Sequence, residues 1–210
     1  MVNSKNIKNT HSTSMKEELR TYKRERILEE AGKLFYERGY HKTTLDAIAE
    51  SLGVTKPFIY SYYKNKTELL TEIYSRVITY SQDCIIEAKS VSDSPRKIIE
   101  RFVQLFVQLT IREQAVVAVY FQEAANIPED DRLAINQLKR EYDEQLTSLI
   151  KEGIDCGEFK VDDPQLAGFA ITGMVSWVYT WYRPNGRLSL AGICDRMVEY
   201  TLQLLGATRN

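Results

Sequence analysis

Histidine and cysteine are scarce in this 210-residue chain, with two of the first and three of the second. His11 and His41 are far apart, and Cys84, Cys156 and Cys194 follow no metal-ligand spacing. That argues against a zinc site, and an odd, sparse set of thiols argues against a disulfide framework. No apolar run approaches the ~18 residues that span a bilayer. The start of the chain, Met1 to Ser14, is polar and lacks the apolar stretch of a secretory signal. A cytoplasmic protein is expected. A glycine-rich phosphate loop and a Gly-x-Ser-x-Gly motif are also missing, and no histidine stands where a catalytic base is needed. The expectation is therefore a non-enzyme with no cofactor and no metal. Strand signals are few as well.

What the chain does have is apolar side chains at steps of three and four, 43% hydrophobic residues in all, enough for a sizeable core. This pattern predicts an all-α fold of about nine helices. The first begins near Met15 or Thr21 and ends at Arg38 before Gly39. Short helices follow from Thr44 to Leu52 and from Lys56 to Tyr63. A fourth, opened by Asn65 with Glu68 three residues on, continues to about Lys89. Further helices are expected over 95–110, 113–125, 130–151, 164–181 and 189–205. Charge divides unevenly: residues 1–80 carry 14 Lys/Arg against 10 Asp/Glu, the remainder 14 against 19. A basic module joined to an acidic one follows. The domain expectation is a flexible arm over 1–20, a helix-turn-helix domain over 21–68 and a helical domain over 69–210, with the segment Ser90–Pro95 as a break between subdomains.

The informative stretch is TTLDAIAESLGVTKPFIYSYYKNKTELL, Thr43 to Leu70. Two short helices flank the sharp turn Leu52-Gly53-Val54-Thr55, and Ile48, Leu52, Val54 and Ile59 are the expected shared core. Thr44 and Thr55 can cap the two helices, and Pro57 falls in a first turn where its missing N–H costs little. The second helix offers Lys56, Phe58, Ser61 and Tyr62 to solvent, with Thr55 and Tyr60 beside them. Hydroxyl and basic groups bind phosphate oxygens and set register, while the side chains at the front of the helix meet base edges. Phe58 can pack on a thymine methyl. The expected DNA contacts are Thr44, Thr55, Lys56, Pro57, Phe58, Tyr60, Ser61, Tyr62 and Lys66.

The segment resembles the DNA-binding domain of the TetR family of bacterial regulators. The resemblance rests on Thr43-Thr44, Ile48-Ala49, Gly53-Val54-Thr55-Lys56, Tyr60, Tyr62-Tyr63 and Lys64-Asn65-Lys66-Thr67-Glu68-Leu69-Leu70, and covers about residues 24–72. It departs from the family pattern at Pro57 and Phe58, which replace commoner small residues. The resemblance implies a homodimer joined through its last two helices, reading a near-palindromic double-stranded operator in successive major grooves. It also implies a C-terminal ligand domain, and most often a repressor released by a small molecule. Its relatives include regulators of efflux and stress genes that sense lipophilic drugs. In the C-terminal half, Phe102, Phe106, Tyr120, Phe121, Phe169 and Trp177 are at helical spacing, which first of all suits ordinary core; the resemblance implies that some of them line an effector pocket. The string Trp181-Tyr182-Arg183-Pro184-Asn185-Gly186-Arg187-Leu188-Ser189 resembles a TetR subset controlling fatty-acid, steroid or aromatic-acid degradation, several of which answer to coenzyme A thioesters. On that resemblance Arg183 and Arg187 are candidate phosphate contacts. Arg183 can instead bond the carbonyls that end the preceding helix, and Arg187 can simply be solvated. The alternative from another class is a helical adaptor that binds no DNA.

Overall fold

The computed structural model describes the backbone of residues 5–207 and the side chains of residues 15–207. Within them the chain is all helical. Two compact units divide it, Met1–Glu72 and Ile73–Asn210.

The first unit contains α1 (Lys5–Arg38), α2 (Leu45–Ser51), α3 (Lys56–Tyr60) and the first turns of α4 (Lys66–Ser90). Its core is built from Ile27, Leu28, Ala31, Leu34 and Phe35 of α1, Leu45, Ile48 and Ala49 of α2, Ile59, and Leu69 and Leu70 of α4. Ile48 and Ile59 are fully buried as expected, but Leu52 and Val54 are only half covered. The sequence reading placed an arm over residues 1–20, yet α1 is already helical at Lys5; residues 1–4 lie outside the described residues. Polar composition does not forbid a helix, and neither glycine nor proline interrupts the chain between Lys5 and Ala31.

The second unit holds the rest of α4, then α5 (Pro95–Arg112), α6 (Gln114–Gln122), a 3-10 turn at Ala124–Asn126, and α7 (Glu129–Asp155). It ends with α8 (Pro164–Ser176), α9 (Val178–Trp181) and α10 (Leu190–Leu204). α5 is the central helix, packed against α6, α7, α8, α9 and α10. Ile98, Ile99, Phe102, Val103, Phe106 and Val107 recur at helical spacing along it, all buried. Ser94, Asp163 and Ser189 cap α5, α8 and α10 by accepting the N–H of Lys97, Leu166 and Gly192. The expected helix over 164–181 is interrupted at Trp177, so α8 and α9 together correspond to one expected helix and the described helices number nine on that count. No single described helix is long and apolar enough to cross a membrane.

Candidate functional site

In the first unit the two short helices present one surface. Thr44 is the N-cap of α2, and its hydroxyl accepts the N–H of Ala47 at 3.1 Å. Gly53 has φ +65, the left-handed conformation that reverses the chain between α2 and α3. Thr55 occupies the N-cap position of α3, but its hydroxyl makes no cap bond and faces solvent, and Pro57 sits in the first turn. α3 ends at Tyr60 rather than Tyr63: the Tyr62 N–H bonds the Ile59 carbonyl three residues back, at 2.9 Å, in place of the four-residue step of an α-helix.

Most of the expected contact residues lie on this accessible surface. Thr44, Thr55, Lys56, Pro57, Tyr60 and Ser61 are exposed, and Phe58 and Tyr62 are half exposed with ring centroids 5.2 Å apart. Lys23 of α1 brings a further cation, its Nζ 5.7 Å from the Phe58 ring. Sequence reasoning missed Lys23, whose position depends on how α1 crosses α3. The Lys56 ammonium donates to Asp46 Oδ2 at 2.5 Å, which raises its pKa, and the Ser61 hydroxyl donates to the Phe58 carbonyl at 2.7 Å.

Lys66 is different. Its Nζ donates to the carbonyls of Tyr40 (2.8 Å), His41 (3.0 Å) and Thr43 (3.2 Å), and lies 4.4 Å from the Tyr40 ring centroid. An ammonium has three donors, and all three are taken. The side chain therefore clamps the connection between α1 and α2 and is not free to reach for phosphate. Beside it, Asn65 Oδ1 accepts the Glu68 N–H at 2.9 Å and Glu68 Oε2 accepts the Lys64 N–H at 2.8 Å, the reciprocal capping expected from the sequence. Below this turn the Arg24 guanidinium donates from Nε and Nη2 to the two oxygens of the Glu72 carboxylate and lies 5.2 Å from the Tyr63 ring centroid.

The second unit encloses a cavity of about 240 Å³ between α4, α5, α6, α7 and α8. Phe106, Leu109, Val116 and Val117 form a buried apolar wall, and Tyr142 donates or accepts across it with Thr172 at 2.9 Å. Arg76, Tyr80, Lys139, Asp143, Phe121 and Phe169 stand where the lining is open to solvent. Desolvation raises the Tyr120 phenol to about 12 and also raises the Asp143 carboxyl, with Lys139 opposing the latter.

Of the residues expected to meet an effector, Phe106, Tyr120 and Phe121 line this cavity. Phe102 does not; it is wholly buried and stacked on Phe106 at 5.5 Å. Trp177 does not; it is 58% exposed at the break between α8 and α9. Arg183 and Arg187 do not line this cavity; they line a separate pocket of about 220 Å³ at the α9–α10 connection. Arg183 Nη1 donates to the carbonyls of Tyr182 (2.7 Å) and Thr180 (3.4 Å), closing the end of α9 as the structural alternative required. Arg76, Lys139, Tyr142, Asp143 and Thr172 were missed, because no local pattern separates a cavity wall from a core or a solvated face.

Two family profiles cover the chain. The one described as bacterial regulatory proteins, tetR family, matches residues 27–73, and the tetracyclin repressor-like C-terminal domain matches residues 92–205. The chain belongs to the TetR family and is a DNA-binding regulator of transcription. Among its relatives, the HTH-type transcriptional regulator YhgD of Bacillus subtilis is 27% identical, covering 86% of this chain and 95% of that protein. The HTH-type transcriptional repressor KstR2 of Rhodococcus jostii is 25% identical over 90% of this chain and 93% of its own length. The crystal structure of AibR in complex with isovaleryl coenzyme A and operator DNA has a TM-score of 0.75 and 26% identity, covering 88% of this chain and 99% of AibR.

Proposed function

We propose that the protein is a cytoplasmic, homodimeric repressor that holds a near-palindromic operator and releases it when a coenzyme A thioester enters the cavity of the second unit. The carrying observation is the path of α4. Its first turns belong to the compact unit that contains α2 and α3, while Arg76, Val77, Ile78, Tyr80 and Ser81 of the same helix wall the cavity. An occupant that shifts this helix has a covalent route to the reading head, and a ligand can bias an equilibrium only through such differential contacts. The similarity to AibR, whose structure holds isovaleryl coenzyme A and operator DNA together, supports the effector class.

The reading face is Thr44, Thr55, Lys56, Pro57, Phe58, Tyr60, Ser61 and Tyr62. For the dimer, α8 and α10 supply the partner face: Leu166, Phe169, Leu190, Tyr200 and Leu204 are exposed on these helices. Exposed apolar side chains gathered on two helices suit a protein–protein contact. A thermal-shift panel of thioesters and their free acids tests the effector, since binding to the native state raises the melting point. Particular thioesters should raise it and lower affinity for a DNA site selected from random sequence. A folded, DNA-binding protein that ignores every thioester would overturn the effector assignment and leave the reading face standing.

A further inference from the structure

We propose that Arg76 and Lys139 form an oxyanion seat at the opening of the cavity, which makes the effector an amphipathic anion with its apolar body against Phe106, Leu109, Val116 and Val117. This rests on reading the cavity as the effector site and adds the residues that hold the occupant's charge.

The cavity lining separates by exposure. Its buried part is mainly apolar, with Ser81, Thr110 and Ser176 among the apolar side chains, while both cations stand in the partly open part of the wall. Each cation lies over an aromatic ring that also lines the cavity: the Arg76 guanidinium 4.8 Å from the Tyr80 centroid, the Lys139 ammonium 5.4 Å from the Tyr120 centroid. Neither cation is in an ion pair with a carboxylate within 4.0 Å among the described residues, in contrast to Glu113 of the same lining, which is held by Arg112. A ring face orients a cation without neutralising it. An oxyanion would form the shorter, stronger charge-assisted bonds that these donors lack.

Two carboxylates, Glu113 and Asp143, also line the cavity. Glu113 is joined to Arg112 at 3.1 Å. Asp143 stands one turn along α7 from Lys139; burial raises its carboxyl and the attraction of Lys139 opposes that shift. It opposes an incoming anion but does not cancel two cations. A cationic lipophile, by contrast, would meet both Arg76 and Lys139 on entry. The anion has two chemical sources, the carboxylate of a free acid and the phosphates of its coenzyme A thioester.

Calorimetry on the full chain separates them, with octanoyl-CoA, octanoyl-pantetheine, octanoate and methyl octanoate as probes and the same four compounds at other chain lengths. At least one anionic compound should bind ~10-fold or more tightly than the uncharged pair. Tight binding of the CoA thioester alone assigns the phosphates; tight binding of octanoate assigns the carboxylate. In the double variant Arg76→Gln, Lys139→Gln the preference should vanish while methyl octanoate binds as before, and Asp143→Asn should strengthen the anion. Equal affinity for charged and uncharged compounds, or an unchanged anion affinity in the double variant, would overturn the seat alone. No binding by any compound would instead overturn the effector cavity itself, and the seat with it.

Discussion

Two lysines ten residues apart show how little a side chain's charge says about its task. Lys56 is exposed and held only by Asp46, so DNA phosphate can replace that partner. Lys66 is spent on three carbonyls. Each phosphate neutralised by a protein cation contributes about 0.9 to the slope of log K against log salt. Replacing Lys56 by alanine should therefore weaken operator binding and flatten that slope, by ~2 for a dimer. Lys66→Met should weaken binding with the slope intact, because it loosens the α1–α2 connection and removes no phosphate contact. A flattened slope for Lys66→Met would show that the lysine leaves its carbonyls for the DNA. Cysteine offers a second check at this scale. Burial, with Glu87 and Asp83 adding, pushes the Cys84 thiol up to about 11, whereas Cys156 is exposed. The thiolate is the reactive form. Iodoacetamide at pH 8 should label Cys156 well before Cys84, and the Cys84 rate should go on climbing as pH rises toward 11. Equal rates at pH 8 would mean that α4 opens readily around Cys84.

Helices in this protein are placed by their ends as much as by their apolar faces. The capped starts at Thr44, Asn65, Ser94, Asp163 and Ser189 are local, since a side chain accepts an N–H two or three residues on. Such ends could be read directly from the chain. Other ends answer to distant packing. The α7 terminus closes where the Phe159 ring covers Gly153, and a Cβ on Gly153 would lie 2.1 Å from that ring. Phe159 is buried, so the ring has nowhere to go. Gly153→Ala, elsewhere a helix-favouring change, should here cost about 1–3 kcal/mol in chemical denaturation, as overpacking does. A neutral or stabilising result would mean that Phe159 can swing out. Next to it, Glu158 accepts the Arg96 N–H at 2.7 Å and the Ser94 hydroxyl at 3.0 Å, tying the start of α5 to the turn after α7. No motif announces that contact, which joins residues 62 positions apart.

For the molecule as a whole, the proposed dimer face on α8 and α10 is open to test. Tyr200 is 48% exposed and Leu204 37%, one turn apart on α10. Replacing both with glutamate would place two charges in a dimer contact at these helices. Light scattering should then report a monomer, helicity should persist, and operator affinity should fall because the two reading heads are no longer linked. A variant that stays dimeric would place the interface on another face.

The chain spells out its reading head locally: the helices, the glycine turn and most of the exposed face. Those features arise from contacts a few residues apart, which leave a pattern in the chain. It also determined the number of helices, because apolar spacing and capping residues act within single helices. Only the tertiary structure decided what the C-terminal aromatics do. Phe102, Phe106 and Trp177 recur at the same helical step, yet the first is core, the second cavity wall and the third surface. The cavity exists where five helices fail to fill the space between them, and that depends on their mutual packing, not on any one helix. The same holds for Lys66, whose carbonyl partners lie 23 to 26 residues away, and for Arg76 and Lys139, which three-dimensional packing brings to one cavity.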